Sequence, residues 1–148
     1  MNRKVRQEMA ERFGVIICMG LIITFALFLN FCSGTNTEAE RWFNKGITHS
    51  RLGQHEEALE AYNKAIEIKP EYQDAWYNKG IVLYNLDRHE EALRTFEKVI
   101  EFNPDVHDAW RGKGAALQKL GRHEEAIKAY EKAIEKKPDN NNIWYNLA

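Results

Sequence analysis

The sequence predicts an all-α fold: a solenoid of helix-turn-helix repeats, three full and a partial fourth, preceded by an N-terminal hydrophobic helix. Two observations carry this. An uncharged run of twenty residues, Phe13–Cys32, stands near the start. From Ala39 onward the chain keeps a 34-residue period, the mark of one supersecondary unit stacked on itself. Trp42, Trp76, Trp110 and Trp144 hold that spacing, as do Pro70, Pro104 and Pro138. Gly46, Gly80 and Gly114 follow it too, with Leu52, Leu86 and Leu120, and the triplet His-Glu-Glu recurs at His55, His89 and His123.

Taken in order, residues 1–12 are a basic segment holding Arg3, Lys4, Arg6 and Arg12. Residues 13–32 read FGVIICMGLIITFALFLNFC, with Thr24 and Asn30 as the strongly polar side chains. At about 1.5 Å per residue a helix of that length covers roughly the 30 Å hydrocarbon core of a bilayer. Positive charge precedes it and is retained on the cytoplasmic side, so the N-terminus is expected inside and the repeats outside. The alternative is a signal sequence, with Cys32 and Gly34 as the small residues before a cut and a secreted product. The run is longer than the apolar core of about 7–15 residues that signal peptides use, which favours a retained anchor. Phe31 stands where a lipoprotein signal wants a small residue, so Cys18 and Cys32 read as apolar packing rather than acylation sites. Residues 33–38 are a linker.

The repeats are predicted at 39–72, 73–106 and 107–140, with a partial unit at 141–148. In the first, Trp42, Gly46 and Ser50 make one stripe at helical spacing and Leu52 closes the helix. Gly53 and Gln54 break it, glycine being the residue that tolerates a left-handed helix stop. The second helix carries Ala58, Leu59, Tyr62, Ala65 and Ile66 on one face. Glu56 and Glu57 suit its positive first turn, and Pro70 reorients the chain. Gly46 and Ala58 let the two helices approach, while Trp42 and Tyr62 are expected to fill the wider gaps. In the fourth unit Trp144 and Leu147 remain to shield the end of the stack. Lys136 replaces Ile68 and Phe102 at that register, consistent with an end.

Trp42, Gly46, Ala58, Tyr62, Ala65 and Pro70 together resemble the tetratricopeptide repeat family. Trp76, Gly80, Ala92, Phe96, Val99 and Pro104 repeat the pattern with Val99 as a modest enlargement, and Trp110, Gly114, Ala126, Tyr130, Ala133 and Pro138 keep it. The resemblance covers residues 39 to 148. It implies a right-handed α-solenoid that serves protein binding, with first helices lining a concave groove. Carried over by register, the groove holds Glu40, Phe43, Asn44, Ile47, Ser50 and Arg51 from the first repeat. The second offers Asp74, Tyr77, Asn78, Ile81, Tyr84 and Asn85; the third offers Asp108, Arg111, Ala115, Gln118 and Lys119. Partner binding is expected chiefly from Phe43, Ile47, Arg51, Tyr77, Asn78, Ile81, Tyr84, Asn85, Arg111 and Lys119. Family members that grip a C-terminal carboxylate use places held here by Phe43, Ile47, Asn78, Asp108 and Gly112. Only Asn78 fits that chemistry, which argues against a chaperone-tail adaptor.

Charge sharpens the expectation. Lys+Arg is 21 and Asp+Glu is 22, a balance unlike that of a general nucleic-acid binder. Residues 73–106 hold 4 basic and 7 acidic side chains, residues 107–140 hold 8 and 6. An acidic ligand is therefore expected to prefer the third repeat near Arg111 and Lys119, unless the shift is ordinary surface variation. No catalytic set emerges. His-Glu-Glu-Ala is followed by Leu59, Leu93 or Ile127, never by the second His of a zinc-protease helix. The three His at second-helix starts read as partly exposed structural residues, Gly112-Lys113-Gly114 falls inside a helix, and no cofactor is implied. The function predicted is a membrane-tethered protein scaffold. The alternative is homo-oligomerisation through the unfinished C-terminal face.

Overall fold

A computed structural model describes residues 37–137. The apolar run 13–32 and the partial repeat 141–148 lie outside the described residues. Among those described, six helices follow one another: α1 (37–51), α2 (His55–Ile68), α3 (Gln73–Asn85), α4 (His89–Phe102), α5 (His107–Lys119) and α6 (His123–Lys136). From Glu38 onward the described helices belong to one compact unit. None of the described helices is long and apolar enough to cross a membrane.

Each first helix stops in the same way. Gly53 has φ +72° and Gly121 φ +74°, the left-handed conformation that costs glycine nothing. Asp87 holds the same register with φ +56°, and aspartate is one of the few other residues that tolerate it. At every stop the next amide reaches back five residues: Gln54 to His49, Arg88 to Leu83 and Arg122 to Leu117, each at 2.9 Å. The amides of Gly53, Asp87 and Gly121 reach back three, at 3.1 Å, completing the paired hydrogen bonds of a Schellman stop. The second helix then begins directly on the repeated His.

The core is built from small residues against aromatic rings. Ala58, Ala92, Ala65, Val99, Ala126 and Ala133 are buried, and so are Tyr62, Phe96 and Tyr130. A Cβ added at Gly46 would lie 2.5 Å from the Tyr62 ring, at Gly80 2.7 Å from Phe96, and at Gly114 2.7 Å from Tyr130. The crossing of the two helices in each repeat is therefore set by a glycine flat against a ring. The tryptophans of the later repeats make a polar contact as well, and Trp110 also packs against the core. Trp76 and Trp110 are only half buried, and their indole N–H groups donate to the carbonyls of Pro70 and Pro104 at 2.8 Å. They clasp the loop between repeats, because a partly buried indole needs an acceptor.

Successive repeats pack α2 on α3 and α4 on α5, and α3 also touches α5 directly. Second helices make no comparable contact with one another among the described elements. The first helices α3 and α5 thus come together on one side of the stack. Ion pairs cross between repeats, Lys113 to Glu97 at 2.8 Å and Lys136 to Asp105 at 2.7 Å. Lys136, the odd residue at its register, thus holds the preceding loop. Exposure changes at α6: Leu59 and Leu93 are each 6% exposed, whereas Ile127 at the same register is 46% exposed.

Candidate functional site

Between α3 and α5 lies a cavity of about 290 Å³ lined by Tyr77, Ile81, Tyr84, Phe96, Asp108, Arg111, Gly112 and Ala115. Helical spacing explains most of the lining. Tyr77, Ile81 and Tyr84 follow at four and three residues along α3, and Asp108, Arg111, Gly112 and Ala115 do so along α5. Phe96 comes from α4 beneath. Its ring meets Tyr77 at 5.9 Å between centroids, tilted by 58°.

The same seam differs from repeat to repeat, which is why the cavity sits where it does. In the first repeat Phe43 packs on Tyr62 at 6.0 Å and on Tyr72 at 4.9 Å. In the third, Arg111 replaces the aromatic at that register. The Tyr130 hydroxyl donates to Gln118 Oε1 at 3.2 Å, and Ser50 hydrogen-bonds Tyr62 at the equivalent place. Phe96 has no hydroxyl to offer, and its register partner is Tyr84. The second repeat therefore presents rings where its neighbours present hydrogen-bonded polar groups.

Electrostatics inside the cavity are nearly balanced. Arg111 Nη2 donates to Asp108 Oδ1 at 2.9 Å, and His107 Nε2 lies 3.4 Å from Asp108 Oδ2. Burial pushes the Tyr77 hydroxyl pKa up, Asp108 pushes it further, and the Arg111 guanidinium, hydrogen-bonded to it, pulls it back. Burial likewise raises Tyr130, with Tyr84 adding and Arg111 opposing. Arg111 is thus shared between Asp108 and the Tyr77 hydroxyl.

Of the predicted groove residues, Tyr77, Ile81, Tyr84, Asp108, Arg111 and Ala115 line this cavity together. Phe43 and Ile47 pack partly buried against the core one repeat earlier. Asn78 is half buried, and its Nδ2 donates to the Asp74 carbonyl at 2.7 Å. Arg51, Asn85 and Lys119 share one register at the first-helix ends, are exposed, and lie outside the lining. Arg111 donates to Asp108, and Lys119 stands apart from the cavity. Phe96 and Gly112 were not anticipated as lining. Gly112 carried a signal in the sequence: its register holds Asn44 and Asn78 in the earlier repeats. A Cβ at Gly112 would lie 2.7 Å from the Phe96 ring, so this position cannot keep asparagine without moving that ring. No group of three or more potential metal-ligating side chains occurs among the described residues.

Comparison with known proteins follows the geometry. Two family models, each described as tetratricopeptide repeat, match residues 39–72 and 77–141. An uncharacterised protein of Methanocaldococcus jannaschii is 48% identical over 38 residues, 26% of this chain and 44% of that protein. The chain thus aligns with less than half the length of that relative. The first TPR of Spaghetti (RPAP3), solved bound to the HSP90 peptide SRMEEVD, superposes with a TM-score of 0.74 at 25% identity, covering 76% of this chain and 89% of that one. MamA superposes with a TM-score of 0.71 at 26% identity over 74% of this chain and 64% of that one. The Arabidopsis OM64 TPR domain, 19% identical, covers 76% of this chain and 93% of that one with a TM-score of 0.74, a likeness of fold.

Proposed function

This chain belongs to the tetratricopeptide repeat family, and we propose that it is a scaffold binding a partner's peptide or helix on the inner face of its repeats. The observation that carries this reading is the cavity between α3 and α5, where Tyr77, Ile81 and Tyr84 stand partly exposed over Phe96. Aromatic and aliphatic side chains grouped in a concave site are what protein segments use as anchor pockets. The peptide-bound state of the RPAP3 domain supports the mode of engagement. The reading assigns the chain no catalytic step and no cofactor. We further propose that residues 13–32 tether it to a membrane, with the N-terminus cytoplasmic and the repeats extracytoplasmic; secretion after cleavage is the alternative.

Crosslinking pull-down from native membranes tests the scaffold reading. The wild type is compared with Tyr77→Ala/Tyr84→Ala, matched for helix content by circular dichroism. Partner recovery should drop at least fivefold in the variant, and equal recovery would remove the inner face as the binding surface. A second reading, assembly with another copy through the α6 end, is favoured by Ile127, which is 46% exposed where its register mates are 6%. Light scattering separates the two: Ile127→Glu should turn an oligomer into a monomer if that face is the interface, and a wild-type monomer at micromolar concentration excludes the second reading.

A further inference from the structure

We infer that a second cavity, on the seam between α3 and α4, is a phosphate site in which Lys79, Arg94 and Lys98 hold the anionic oxygens and the Trp76 ring receives the carbon that carries them. This cavity measures about 300 Å³. Trp76, Lys79 and Leu83 line it from α3, and Arg94 and Lys98 from α4, with Glu91 and Thr95 completing the α4 wall. It shares no lining residue with the cavity between α3 and α5, so it stands independently of the groove. Its volume lies at the lower end of ligand pockets, which run about 300–1,000 Å³, and suits a small anionic group rather than a polymer.

Two breaks in the repeat pattern gather positive charge here. In the third repeat Lys113 crosses to Glu97 at 2.8 Å. One repeat earlier Asn63 stands at the register of Glu97, and Lys79 forms no ion pair among the described residues. Its ammonium lies 5.2 Å from the centre of the Trp76 ring instead. In the first repeat Glu60 accepts from Lys64 at 2.7 Å. The second repeat reverses that register to Arg94, four residues before Lys98, a like-charge spacing that a helix surface disfavours. Arg94 is exposed and forms no hydrogen bond or ion pair among the described residues. Lys98 reaches Glu101 outside the cavity.

The one carboxylate in the lining is already engaged. Arg88 donates to both oxygens of Glu91 at 2.7 Å, a two-pronged contact made from outside the cavity. Three cations therefore face one satisfied carboxylate, and a phosphate monoester, with a charge of about −1.5 to −2, offsets that excess. A guanidinium beside two ammonium groups also suits the geometry of phosphate oxygens. Burial pulls the Lys79 pKa down, with Glu91 opposing and Arg88 adding, so an entering anion relieves a half-buried cation. Thr95 gives its hydroxyl proton to the Glu91 carbonyl at 2.7 Å, which leaves recognition to the cations. The same edge of the third repeat offers no such excess. There Lys113, Lys128 and Lys132 share the lining with Glu125, Glu131 and Glu135.

The test is lysine acetylation of the full-length chain in neutral detergent micelles, with the rate at each lysine read by mass spectrometry. The probes are inorganic phosphate and phosphatidate mixed into the micelles, each compared with chloride at equal ionic strength, since salt alone screens exposed charge. A phosphate seated here both shields the Lys79 amine and favours its protonated, unreactive form. Lys79 should therefore react at least threefold more slowly with a phosphate probe, while Lys128, on the balanced edge of the third repeat, keeps its chloride rate. Arg94→Glu restores the first repeat's charge at an exposed position and should abolish the protection with helix content unchanged by circular dichroism. Arg94→Lys keeps the charge and should retain part of it. Slowing by inorganic phosphate identifies a free phosphate compound as the ligand, and slowing by phosphatidate alone identifies a lipid headgroup. An unchanged Lys79 rate with both probes, equal slowing of Lys79 and Lys128, or protection that survives Arg94→Glu overturns the assignment.

Discussion

Replacing Gly80 with alanine sets two effects of opposite sign against each other inside one helix. Intrinsic propensity favours alanine by about 0.8–1.0 kcal/mol in a helix interior. Packing opposes it: the new methyl would sit 2.7 Å from Cε1 and 3.0 Å from both Cδ1 and Cζ of Phe96. The ring is 2% exposed and cannot retreat freely, because Gly112 presses on it as closely, a Cβ there falling 2.7 Å from Cε1 and Cζ. Overpacking of this kind costs about 1–3 kcal/mol. The net expectation is a loss of about 0–2 kcal/mol, and the melting temperature should fall by about 4–8 °C per kcal/mol for a unit of this size. Urea unfolding of the full chain in a fixed detergent buffer, followed by far-UV circular dichroism, measures it. Gly80→Ala/Gly112→Ala should lose more than the sum of its parts by about 0.5 kcal/mol or more, since both methyls claim one ring. Phe96→Leu in that background should recover stability. An alanine variant more stable than the parent would refute the reasoning, leaving propensity in control.

Burial at one register makes a second prediction. Leu93 is 6% exposed and Ile127 46%, so Leu93→Ala should cost about 2–5 kcal/mol and Ile127→Ala well under half of that, read from the same unfolding curves. Acid stability makes a third. The Arg88 and Arg122 guanidinium groups donate to Glu91 and Glu125 at 2.7 Å and hold both carboxyls below the usual carboxylate range. Their contribution is therefore complete above that range and is lost as pH falls through the lowered folded values. Glu91→Gln/Glu125→Gln should flatten the decline of stability on acidification, and salt should shrink the difference because both pairs are exposed.

The helices, the stops and the glycine-on-ring crossings were legible because packing imposes the same residue every 34 positions. Gly46 and Gly80 could be read as points of close approach before any ring was placed against them. What escaped is what the period does not dictate. The spacing of the tryptophans says nothing of an indole N–H reaching the Pro70 or Pro104 carbonyl. Asp87 fills a left-handed stop that glycine holds elsewhere, a substitution visible only when Gly53 and Gly121 are aligned with it. Register places Tyr77, Ile81, Tyr84, Asp108, Arg111 and Ala115 in the groove, but Phe96 supplies the floor from a second helix that register alone assigns to the core. Charge counting does not reveal that Arg111 donates to Asp108.

The inner face as the site of partner contact is tested most directly by site-specific photocrosslinking. A photoreactive phenylalanine analogue is placed at Tyr84, on the cavity, or at Arg94, exposed on the second helix of the same repeat. The account predicts a discrete partner adduct from position 84 and none from position 94. Capture from position 94 with nothing from position 84 would contradict it.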